Sequence, residues 1–169
     1  MSGKTIETAA LTKAALALYE EGYLGPRDPK GTWFVDNDPA CGFIGTIEAL
    51  SATEASRQAS AGDPLTVASH AEHLRFALSL ANRAARGENA YSGVKWADSW
   101  ARRSVTEKEW RDLVAGLRAE FEAFRDSLSK GGLWDGEDML TGTLGLLCHG
   151  AWHLGAIRQA LGLIKAPAR

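Results

Sequence analysis

Two short runs hold every histidine of this chain, and both have the spacing of helices. Leu144-Gly-Leu-Leu-Cys-His149-Gly-Ala-Trp-His153-Leu-Gly-Ala-Ile-Arg158 places two imidazoles four residues apart in an apolar stretch. Residues at i and i+4 leave the same face of a helix one turn apart. The other two, His70 and His73, lie in Val67-Ala-Ser-His70-Ala-Glu-His73-Leu-Arg-Phe76. A chain that confines all four of its histidines to two helical segments points to one site built between two helices.

The rest of the chain reads as helix as well. Ala10, Leu11, Ala14, Ala15, Leu18 and Tyr19 have helical spacing from about Ile6 to Tyr23, and Gly22, Gly25 and Pro26 follow. A polar loop from Gly25 to Asp38 is interrupted by Trp33-Phe34-Val35, expected to pin it to the core or to wall a pocket. Pro39 after Asp38 suits the first position of a capped helix carrying Phe43, Ile44, Ile47 and Leu50. Ser51-Ala-Thr-Glu54 and Thr106-Glu-Lys-Glu109 are capping boxes, in which side chain and backbone at a helix start satisfy each other. The first opens a short helix to about Ala59. The second opens a long one carrying Trp110, Leu113, Leu117, Phe121 and Leu128, stopped by Gly131-Gly132. Helices over about Thr66 to Arg86 and Asp138 to Leu163 carry the histidines. No segment sustains strand alternation, so the expected fold is all-α, a four-helix bundle with additional short helices.

At 169 residues, one domain over residues 1–169 is expected. A 45% hydrophobic and 24% charged composition is that of a soluble globular protein. With net charge −2 and dispersed basic residues, no nucleic-acid partner is expected. No apolar run approaches the roughly 20 residues of a membrane span, and Met-Ser-Gly-Lys-Thr-Ile-Glu lacks a leader's apolar core. With only Cys41 and Cys148, far apart, no disulfide framework is indicated. A cytoplasmic protein without a membrane partner is the expectation.

Two histidines from one helix and one from a facing helix make a three-nitrogen site with coordination positions left open. Imidazole suits zinc, nickel, copper and iron. Several familiar metal motifs are excluded. A zincin needs Glu directly after the first His, and that position is Gly150. Di-iron bundles need Glu three residues before each His; Leu146, Gly150, Val67 and His70 stand there instead. Cys148 points about 100° away from His149 around the helix, so it reads as a small core residue. Core histidines with no metal remain the plain alternative.

The pattern His149-x-x-x-His153-x-Gly155-x-Ile157-Arg158, with Thr66 seven residues before His73-Leu74, resembles the DinB-like (DinB/YfiT) metalloprotein superfamily. That resemblance covers roughly Leu50 to Leu163 and implies a four-helix bundle, a divalent metal and a homodimer. It carries the ligand roles onto His73, His149 and His153. His70, only four residues from Thr66, is left as a fourth ligand or an outer partner. The insertion from Tyr91 to Trp100 departs from the family plan. The expected metal is zinc or nickel, with iron as a further option. The expected activity is that of a thiol S-transferase or isomerase, or a hydrolase, acting on a small molecule with a low-molecular-weight thiol. A non-catalytic metal-binding stress-response protein is the alternative. Arg75 and Arg158 are candidates to hold a substrate carboxylate, Glu72 to act as a base, and Trp33, Trp96, Trp100 and Trp152 to wall a pocket; surface and core roles compete with each.

Overall fold

Four long helices and two short ones make up the chain in the computed structural model, which describes residues 5–60 and 62–165. They are α1 (Thr8–Leu24), the short α2 (Phe43–Glu48) and α3 (Ala52–Ala55), α4 (Val67–Ala85), α5 (Glu107–Ser129) and α6 (Glu137–Lys165). Two single 3₁₀ turns, Trp96–Trp100 and Gly132–Trp134, sit in the connections, and there is no strand among the described residues. The fold is all-α, as expected. Of the N-terminal stretch read for a leader, Met1 to Lys4 lie outside the described residues. No helix is long and apolar enough to cross a membrane among the residues described.

Helix starts follow the capping chemistry. Ser51, Thr66 and Thr106 each accept a hydrogen bond from the backbone N–H three residues on, and the side chain of that residue accepts one from the backbone N–H of the cap. These bonds satisfy donors that a first helical turn leaves orphaned. Gly131, with φ of 75°, ends α5 in the left-handed conformation. The short helix from Ser51 ends at Ala55, not at about Ala59.

Two local expectations are corrected. Asp38 does not cap a helix at Pro39. Its carboxylate accepts from Ala40 N–H at 2.9 Å and its carbonyl from Cys41 N–H, closing a tight turn, and α2 begins only at Phe43. The reason is a backbone crossing. A Cβ on Gly42 would lie 2.4 Å from main-chain atoms at the end of α1, so this stretch runs flush against α1 before it can coil. The Trp33-Phe34-Val35 loop is pinned by its backbone rather than by its rings. The buried carboxylate of Glu21 accepts from the N–H groups of all three residues at 2.7, 2.8 and 3.2 Å. Val35 is buried, whereas Trp33 and Phe34 project outward.

The core is aromatic around α1 and α5. Tyr19 and Tyr23 pack on Phe121, with ring centroids 5.0 and 5.1 Å away, and on Phe124 and Phe43. Leu74 and Leu78 of α4 and Leu117 and Leu128 of α5 are fully buried. Burial of one such side chain contributes about 1.5–3 kcal/mol. Tyr23 also explains Gly150: a Cβ there would stand 2.8 Å from the Tyr23 ring, which its neighbours hold in place. Thus α6 approaches α1 at the residue between its two histidines. The same glycine that excluded a peptidase is the point where the helix that carries the site is seated.

Candidate metal centre

His73, from the middle of α4, and His149 and His153, from α6, bring a nitrogen each to within 4.8 Å of one another. His149 Nε2 lies 3.2 Å from His73 Nε2 and 2.9 Å from His153 Nε2. His73 and His153 are buried and His149 is half-buried. An ion with metal–nitrogen bonds of about 2.0–2.1 Å sets neighbouring ligand nitrogens about 2.8–3.4 Å apart, from octahedral to tetrahedral geometry. The two separations at His149 fall within that range, and the third pair, His73 and His153, lies within 4.8 Å.

The proton positions favour a cation as well. Ser99 donates its hydroxyl to the carbonyl of Trp96 at 2.6 Å, so its oxygen accepts from Nδ1–H of His73 at 2.7 Å. The proton on Nδ1 leaves Nε2 of His73 with a bare lone pair aimed at His149. His149 can direct one N–H at only one of its two neighbours. Without a cation, at least one of these close nitrogen pairs is unsatisfied. A metal ion could accept all three lone pairs at once.

Burial keeps the imidazoles neutral, the form that binds metal. His153 is pushed down to about 2, first by desolvation and then by His149, His70 and His73. His73 is pushed down to about 4 by desolvation, with His149 and His70 adding to it. Desolvation also lowers His149 and His70.

His70 takes the outer of its two expected places. Its Nδ1 meets Nδ1 of His153 at 2.9 Å, on the far side of that ring from Nε2. It thereby orients His153 as Ser99 orients His73. The cluster of converging nitrogens consists of His73, His149 and His153 without it.

The Trp-rich stretch from Tyr91 to Trp100 packs on the histidine cluster. The ring of Trp100 stacks on His73, with centroids 4.0 Å apart and planes 19° from parallel. Trp96 lies 5.9 Å from His73, and Trp152 meets His153 edge-on at 4.8 Å. The chain just after this stretch is tied to the start of α4: Thr66 Oγ1 donates to the Arg103 carbonyl and Ser69 Oγ to that of Arg102, both at 3.0 Å. The cap of the helix that carries His73 therefore also positions the loop that carries Ser99. Trp33 does not belong to this wall; it lines a separate cleft of about 610 Å³ beside α1.

The charged candidates are engaged elsewhere. Glu72 pairs with Arg75 at 2.6 Å and with Arg102 at 3.5 Å. Arg158 donates to the Cys41 carbonyl at 2.5 Å and pairs with Asp36 at 3.0 Å, strapping the loop before α2 to α6. Cys148 is exposed rather than a core residue, and the thiol of buried Cys41 donates to the Asp36 carbonyl at 3.1 Å. Ser99 was not singled out from the sequence. A serine within Trp96-Ala-Asp-Ser-Trp100 carries no metal-site pattern, and only the fold brings it against a residue 26 positions away.

Together these features define an all-helical protein with a three-histidine cluster, braced on its outer side, that could hold a metal ion. No family model, curated protein or solved structure matches the chain.

Proposed function

We propose that the chain is a DinB-like metalloprotein of the four-helix type, with a divalent transition metal held by His73, His149 and His153. The single observation that carries this reading is the convergence of three ring nitrogens, with Ser99 behind His73 and His70 behind His153. Zinc or nickel is the proposed ion, with iron next; imidazole ligands suit all three. Bound there, the ion supplies a positive charge that favours loss of a proton from a thiol or a water near neutral pH.

The residues of the chain supply the setting. Three protein ligands leave room for a fourth, which is the arrangement of catalytic rather than closed structural sites. Trp96, Trp100 and Trp152 pack against the histidines and form an aromatic wall beside them. The reaction class this supports is transfer or isomerisation with a low-molecular-weight thiol acting on a small electrophile, or hydrolysis. With Glu72, Arg75 and Arg158 in ion pairs, the substrate is oriented by the metal and the aromatic wall rather than by these side chains. A non-catalytic metal-binding stress-response role is the second reading. It is favoured by one observation: none of the clefts of about 610, 380 and 290 Å³ is lined by a histidine.

Elemental analysis of purified wild type and His149→Ala tests the centre. About one equivalent of metal is expected in the wild type and less than a tenth of that in the variant; equal metal in both sinks the proposal. His149 is half-buried, so its truncation is expected to leave the fold standing. A thiol-transfer assay on the metal-loaded wild type then separates the enzyme from the binding protein.

A further inference from the structure

A cleft of about 290 Å³ lies between α4, α5 and α6. Ala81, Ala84, Phe124, Gly142 and Leu146 line it, and Tyr91 forms one wall. Its position relative to the histidines follows from helix geometry. Ala84 is eleven residues after His73, and Gly142 is seven before His149. At 100° per residue each lies within about 20° of its histidine around its own helix. The two helices run antiparallel here, so the cleft lies further along the strip between α4 and α6 on which the histidines sit, with Leu146 its nearest lining residue to His149 on α6. Along α6 it begins at Leu146, about 5 Å from His149, and reaches Gly142 at about 10 Å. The aromatic cover is continuous too: Tyr91 stacks on Trp96, with centroids 6.4 Å apart, and Trp96 packs against His73.

The cleft is shaped by what is missing from its walls. A Cβ on Gly142 would meet nothing within 4 Å, so a larger side chain there has room to extend over the cleft. The lining is mainly apolar and contains no Lys or Arg, and Asp138 lies at the end remote from the histidines. An anionic occupant is disfavoured, and an uncharged hydrocarbon or aryl group is matched. The volume is at the low end for ligand sites, which suits an arm rather than a whole substrate.

We propose that this cleft is the arm site of the metal centre: it receives the uncharged apolar arm of a ligand whose metal-binding head sits at His73, His149 and His153. This rests on the metal reading above. The substrate class it selects is a small molecule with a polar, metal-seeking end and an alkyl or aryl tail about two helical turns long.

Cobalt(II)-loaded protein titrated with ethanethiol, butanethiol, hexanethiol and octanethiol tests it. The cobalt absorption bands report binding of the head group, and the tail is read from the affinity series. In wild type, affinity is expected to rise about threefold to fourfold per methylene added. In Gly142→Leu and Ala84→Leu the rise is expected to disappear beyond the short thiols, while ethanethiol affinity stays within about twofold. Leu is a better helix former than Gly, so Gly142→Leu is expected to melt no lower than wild type. A flat series in wild type, or a rise that survives both substitutions, overturns the arm site while leaving the centre intact. Cobalt bands that are absent, or that persist in His149→Ala, overturn the centre and the arm site with it.

Discussion

The distinction between His70 and His73 comes down to which ring nitrogen faces what. Both are buried on α4 three residues apart, yet one turns Nε2 toward His149 and the other turns Nδ1 to the back of His153. Outer partners of metal-bound histidines typically account for 10- to 100-fold in metal affinity. Ser99→Ala is therefore expected to weaken metal binding by about that factor, measured by competition with a chromophoric chelator, with secondary structure by circular dichroism unchanged. Equal affinity in the variant would remove Ser99 from the site.

Titration of the same residues sets the acid limit of the metal-free protein. Because His73 and His153 titrate at about 4 and about 2 in the folded chain, below the ordinary 6.5, the unfolded chain binds more protons between those values. Their contribution to stability is fully present above about 6.5 and is lost as pH falls below it. Thermal melts of the metal-free protein are expected to drop steadily from pH 6.5 toward pH 4. A histidine-to-alanine variant at position 153 should flatten that slope.

At the scale of elements, α4 and the 87–105 connection behave as one unit, joined at Thr66 and Ser69. Thr66→Ala removes a cap worth about 1 kcal/mol and also releases Arg103. A loss of about 1–2 kcal/mol in chemical denaturation is expected, together with weaker metal binding, because the loop bearing Ser99 loses its anchor. A purely local cap would lower stability and leave metal affinity unchanged. The capping boxes themselves were legible, since Ser51/Glu54 and Thr106/Glu109 are bonds between near neighbours along the chain. The early start expected for α2 was not: proline at 39 and aspartate at 38 suit either a cap or a turn, and contact with the end of α1 decides between them.

Across the whole molecule, one face of α6 stays uncovered. Leu144, Cys148, Trp152 and Leu163 are exposed and fall within an arc of about 100° around the helix. A stripe of this kind is a candidate interface, and a second copy of the chain is the proposed occupant. Sedimentation equilibrium is expected to give a dimer for the wild type and a monomer for Trp152→Glu. A monomeric wild type would leave the stripe without that role.

What the amino-acid sequence determined by itself was local. It set where the capped helices start, that the histidines fall on two helices, and that the glutamates of the peptidase and di-iron motifs are missing. Each depends on residues three or four apart within one helix, where backbone geometry dictates the outcome. The tertiary structure decided the rest: that His73 converges with the α6 pair while His70 braces it, that Ser99 and Trp100 complete the setting, and that Gly150 makes room for Tyr23. Those outcomes depend on a loop and on helices that meet only after the chain has packed. A ring nitrogen's partner is chosen by proximity in space, on which spacing along the chain has no bearing.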